Sequence, residues 1–181
     1  SPLTNLLNNS TTFTGYPENN TIHWVFYDAF TGPNVWANGI GPLQTARQKY
    51  GQIIPVNSNE ASRAFSIIPA LEAMKSQVGA IYLTPWGGSS GIPGNVVSTE
   101  NQASALAYLV MTRKILEENN DTNFVPRVDA LMSGVKDYYR LRAYNTATRL
   151  FNQGGTVNTN TGAWTPDTKF AIDTTTFTIL A

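Results

Sequence analysis

One ordered pattern recurs along this chain and constrains its fold more than any other feature. An aromatic extended piece leads through a glycine turn into a new helix with an acid in its first turn. Ile81-Tyr82 leads through Trp86 and Gly94 to Ser98-Thr99-Glu100-Asn101, and Leu150-Phe151 leads through Gly154, Gly155 and Trp164 to Phe170-Ala171-Ile172-Asp173. Earlier, Ile53-Ile54-Pro55 leads directly to Asn57-Ser58-Asn59-Glu60. Glu60 and Glu100 are 40 positions apart; Glu100 and Asp173 are 73 apart, close to two such periods. A repeat of this length that yields a helical hairpin each time marks a helical array. Curved into a ring, such hairpins make an α/α toroid whose inner helices present their N-termini at one rim. The predicted fold class is therefore mainly α: a partial α/α toroid of helical hairpins with short β-hairpin excursions at one rim. Acids at helix N-termini also satisfy the helix dipole, so the same three residues fit a purely structural role.

Helical spacing places the elements. A first helix is predicted over residues 34–50, with Val35, Trp36, Ile40, Leu43 and Ala46 on one side, and Pro42 kinking it or confining it to the stretch that follows. A second runs from Ser58 to Lys75, capped by Asn57 or Ser58 and interrupted at Pro69; its stripe is Ala61, Phe65, Ile68, Leu71 and Ala73. A third follows the cap Ser98, with Ala103, Leu106, Ala107, Val110 and Ile115 at helical spacing. A fourth spans 126–143. Residues 1–20 form a polar arm, and 21–181 form the helical domain. The apolar stretch up to Ala181 reads as an element cut off in mid-course, as in a fragment or a half ring.

Composition removes several functions. Twelve basic residues balance twelve acidic ones and charged residues make up only 13%, so the chain lacks the basic clusters that nucleic acid requires. No run of 18 apolar residues provides a membrane span. There is no cysteine and a single histidine, His23, which starves thiol chemistry, His-based triads and multi-histidine metal sites of residues. Sequons at Asn8, Asn9, Asn19 and Asn120 are candidate glycosylation sites and place the chain outside the cell, secreted.

The strings Tyr27-Asp28-Ala29-Phe30-Thr31-Gly32-Pro33-Asn34-Val35-Trp36, Asn59-Glu60-Ala61-Ser62-Arg63, Ser98-Thr99-Glu100-Asn101, Phe151-Asn152-Gln153-Gly154-Gly155-Thr156 and Phe170-Ala171-Ile172-Asp173 resemble the inner-helix starts of six-hairpin glycosidase-like proteins. The resemblance covers residues 24–181 and lies in rhythm and short phrases. Family toroids are about twice this length, so the chain would supply part of a ring.

Glu60, Glu100 and Asp173 are the candidate catalytic residues, because glycoside hydrolysis needs two carboxyls flanking the scissile bond. The helix dipole suits such an acid to the base role, and apolar cover from Trp86 or Trp164 would suit one to the acid role. Trp86, Tyr82 and Trp164 are candidates for stacking on sugar rings, while Trp36 fits the core better. Asp28 either binds a sugar hydroxyl or caps the helix that follows, and Asn101 is a further substrate-binding candidate. Arg63, one turn beyond Glu60, is its expected ionic partner. Two functions stand side by side. One is a glycoside hydrolase that needs no cofactor. The other is a non-catalytic structural or carbohydrate-binding module of an extracellular assembly, packed on copies of itself or on the rest of a longer chain.

Overall fold

A computed structural model describes residues 15–18, 21–24, 30–85, 92–169 and 174. Strand β1 (Gly15–Glu18) pairs antiparallel with β2 (Thr21–Trp24), which joins the end of the expected arm to the chain beyond residue 20. Helical backbone then runs unbroken through α1 (Thr31–Asn34), a π turn (Val35–Ile40) and α2 (Gly41–Tyr50). Helices α3 (Asn59–Phe65) and α4 (Ile68–Ala73) follow. After strand β3 (Val96–Ser98) come the long helix α5 (Thr99–Glu118), then α6 (Val125–Tyr138) with a second π turn (Tyr139–Ala143). Two hairpins close the described chain: β4 (Tyr144–Asn145) with β5 (Leu150–Phe151), and β6 (Gly154–Val157) with β7 (Trp164–Asp167). The strand β3 adds to β6, giving an antiparallel sheet in the order β3-β6-β7. The class is mixed, mainly helical with a few short antiparallel strands. Among the described residues, no helix is long and apolar enough to cross a membrane.

Local chemistry sets most of these boundaries. Ser58 is extended, and its hydroxyl accepts from the Ala61 amide to start α3. Pro69 lies in the first turn of α4, so its missing N–H costs nothing, and the expected break before it occurs at residues 66–67. Pro42 likewise lies in the first turn of α2. The chain accommodates it by widening the preceding turn, where the Gly41 N–H reaches back five residues to the Trp36 carbonyl. Helix α5 ends in a paired lock: the Asn120 N–H donates to the Glu117 carbonyl, and the Asp121 N–H to that of Leu116. Asn120 supplies the left-handed backbone this ending requires (φ 54°).

Helix α5 forms the axis of the larger core. It buries Ala105, Leu106, Tyr108, Leu109, Ile115 and Leu116, a face broader than the expected stripe, and leaves Val110 exposed. The π turn approaches so closely that a β-carbon on Gly39 would lie 2.6 Å from the Tyr108 ring. The Tyr108 hydroxyl is satisfied by donating to the Ala64 carbonyl at 2.7 Å. Ala73, expected on the stripe of the second helix, is exposed. A smaller core gathers Ala80, Val97, Tyr138, Ala143 and Val157 between the sheet and the end of α6. Burial pushes the Tyr138 phenol up to about 12, and its hydroxyl shares a 2.8 Å hydrogen bond with Thr99.

Gln102, fully buried on α5, ties that helix to the extended segment at Ile81. Its Nε2 donates to the Ile81 carbonyl at 2.7 Å, and its Oε1 accepts from the Ile81 N–H at 2.8 Å. Gln102→Leu leaves a buried donor and a buried acceptor without partners, each costing about 1–3 kcal/mol. Urea unfolding should show a loss of about 2–6 kcal/mol with an unchanged m-value.

Candidate functional site

A concavity of about 560 Å³ opens at the N-terminus of α5 beside the β3-β6-β7 sheet. Phe30, Leu83, Ile92 and Val96 supply its apolar surface. Ser98, Asn101, Gln153 and Thr156 supply hydroxyls and amides, and Glu100 and Asp167 supply two carboxyls. Among the described residues, no lysine or arginine lines it.

Each polar group is held by the fold. Ser98 is extended at the end of β3, and its hydroxyl caps α5 by accepting from the Asn101 N–H at 3.4 Å. That cap fixes Glu100 in the first turn, where the helix dipole favours a negative charge. Thr99, fully buried, points the other way: its N–H donates to the Gln153 carbonyl at 3.0 Å and its hydroxyl to that of Asn152 at 2.7 Å. Asp167 ends β7 directly opposite Gly154 in the ladder, and its Oδ1 accepts from the Lys169 N–H at 3.1 Å. Glycines let the strands close up here. A β-carbon on Gly154 would run into the Val97 carbonyl, and one on Gly155 would lie 2.6 Å from the Trp164 ring.

The expected site residues are distributed as follows. Glu100 and Asn101 line the concavity, but the Asn101 amide is committed to scaffold bonds. Its Oδ1 accepts from the Gly32 N–H, and its Nδ2 donates to Ser98 Oγ at 3.0 Å. Glu60 lies in a different groove, lined also by Trp36 and Arg63. Its partner is Lys49, at 3.0 Å, and not the expected Arg63, which donates to Asn38 Oδ1 at 2.9 Å. Tyr82 packs on the smaller core, where burial raises its phenol pKa. Trp164 packs there too, edge-on to Tyr138 at 5.5 Å, and its buried indole N–H has no hydrogen-bond partner among the described residues. Neither ring lines the concavity. Asn120 is exposed at the end of α5. Trp86, Asp28, Asp173, Asn8, Asn9 and Asn19 lie outside the described residues.

Asp167, which the sequence pattern did not single out, reaches the concavity through the β6-β7 register, opposite Gly154. Among the described residues, no three His, Cys, Asp or Glu side chains converge as metal ligands. No family profile, curated protein or solved structure matches the chain.

The Glu60 carboxyl is held below its ordinary value of 4.5, first by its own backbone N–H and then by Lys49. A depressed carboxyl stabilises the fold above its unfolded pKa, and the gain is lost as pH falls through the folded value. Glu60→Gln should therefore be less stable than the wild type at about pH 7, and the two should converge below about pH 4. Urea midpoints across that range read the difference.

Proposed function

We propose that the chain is part of an extracellular α/α toroid that hydrolyses glycosidic bonds in a neutral saccharide. The observation that carries this reading is the placement of Glu100 and Asp167 in one concavity with amides, hydroxyls and apolar walls. Among the described residues the lining carries amides and hydroxyls and no cation, which favours a neutral substrate whose hydroxyls Gln153 and Thr156 would bond. Glu100, under the α5 dipole, is the carboxylate that activates water or attacks the anomeric carbon. Asp167 is the acid that protonates the departing sugar oxygen. The reaction consumes one water and calls for no cofactor. Asp167 takes the place expected of Glu60, because Glu60 faces another groove, while Asp173 lies outside the described residues.

A second reading is supported by a separate observation. Leu141, Tyr144 and Leu150 are 60%, 42% and 38% exposed on the π turn and the hairpin that follow α6. Large apolar side chains gathered on so short a stretch favour a packing partner, either the rest of a longer chain or a copy of this one. That suits a non-catalytic module of an extracellular assembly.

Release of reducing ends from neutral polysaccharides separates the two. Glu100→Gln and Asp167→Asn should each lower the rate at least about 100-fold while leaving the unfolding midpoint within a few degrees. A wild-type chain inactive on every neutral polysaccharide tried, or variants that retain full activity, would reject the hydrolase.

A further inference from the structure

A second groove, about 460 Å³, shares no lining residue with the first. Trp36 forms part of it, with 49% of its surface in solvent, although its spacing on the helix suggested a core position. Two features fix that ring. Its backbone lies in the π turn Val35–Ile40, a helix defect frequent at functional sites. Its indole N–H donates to Ser104 Oγ at 3.1 Å, which anchors one edge while much of the ring stays wet.

The other walls are polar and ordered. Glu60 is held by Lys49 Nζ at 3.0 Å through one oxygen and by the Tyr50 hydroxyl at 3.4 Å through the other. Arg63 spends one nitrogen on Asn38 Oδ1, and its guanidinium carries further donors. Lys49 neutralises Glu60 from beside the groove without removing its capacity to accept, and Arg63 keeps its charge at the opposite wall. What it offers is a flat, anchored aromatic surface beside one fixed acceptor and one fixed donor.

We propose that this groove is a saccharide-binding site separate from the first concavity. The Trp36 indole stacks on the CH face of a pyranose ring. Glu60 accepts from one hydroxyl, and Arg63 donates to its neighbour. Charge-assisted bonds of this kind orient a neutral diol, and the stacked ring supplies the area. Binding here requires no bond cleavage, so it stands independently of what Glu100 and Asp167 do.

The test is a titration of the ¹⁵N-labelled full chain with cellohexaose, xylohexaose, mannohexaose and maltohexaose, following the Trp36 indole resonance assigned through Trp36→Phe. At least one oligosaccharide should shift that resonance. Trp36→Ala and Arg63→Ala should each weaken its binding about tenfold or more, with unfolding midpoints close to wild type. If Trp36→Ala fails to fold, Arg63→Ala alone decides, since its side chain is exposed. Glu100→Gln should leave the Trp36 response intact. A panel that never moves the resonance overturns the site, as does undiminished binding by Arg63→Ala. Loss of the response in Glu100→Gln overturns it too, by assigning the binding to the first concavity. A wild-type chain that hydrolyses nothing but keeps the response rejects the proposed hydrolase and leaves this site standing.

Discussion

The structure depends on how a stretch of irregular backbone is buried next to a helix. Peptide groups away from water must find partners, and an irregular segment has no ladder to supply them. Gln102 solves this with a side chain that imitates a neighbouring strand, accepting from Ile81 and donating to it at once. The consequence spreads along the segment. Two residues on, the Leu83 carbonyl accepts from the Thr31 N–H, and the Leu83 N–H donates to the Val96 carbonyl. One amide on α5 thus positions both the start of α1 and the start of the sheet, the two walls between which the larger concavity opens.

Helix α5 serves as a common ruler for everything that follows. At its first turn it presents Glu100 and binds the α1 backbone through Asn101. One turn on, Ser104 anchors the Trp36 indole, and Tyr108 reaches the Ala64 carbonyl of α3. At its end Asn119 donates to the Ile54 carbonyl, tying down the loop that leads to α3. Both grooves are therefore referenced to one rigid element, on which spacing is set by helical rise and not by loop conformation. Charged groups stay outside this frame and pair at its surface, as Arg127 does with Glu72 and Arg113 with Asp129. At the surface such pairs contribute little to stability. The apolar contacts and the buried amide carry the fold.

Elements with local chemical signals were readable in the sequence. Ser58 and Ser98 announced helix starts, Pro69 announced a break, and the glycine turn before Trp164 announced a hairpin, because each acts within a few residues. What escaped the reading was decided at long range. The burial of Gln102 depends on Ile81, 21 residues away, and the exposure of Trp36 depends on Ser104, 68 residues away. The pairing of Glu60 with Lys49 instead of Arg63 follows from how α2 packs beside α3, which no helical spacing rule contains. Trp164 read as a sugar platform because it followed a glycine turn, yet Tyr138 from a distant helix claims its ring. The first-turn position of Glu100 was legible because it is local to a helix start. The position of Asp167 was not, because it comes from strand register.

The wide turn that carries Trp36 has a consequence for how this region tolerates change. A π turn holds one residue more than the α-helical path between the same end points. Removing any single residue between Val35 and Ile40 would let the helix close into regular register, with every side chain intact in kind. Because the end points are kept, the stretches on either side would hold their facing, and only the residues inside the turn would change place. The approach of Trp36 to Ser104 and of Gly39 to Tyr108 depends on that extra residue. The packing of the first helix and the position of the exposed ring are thus separable: a one-residue deletion would act on the second and spare the first.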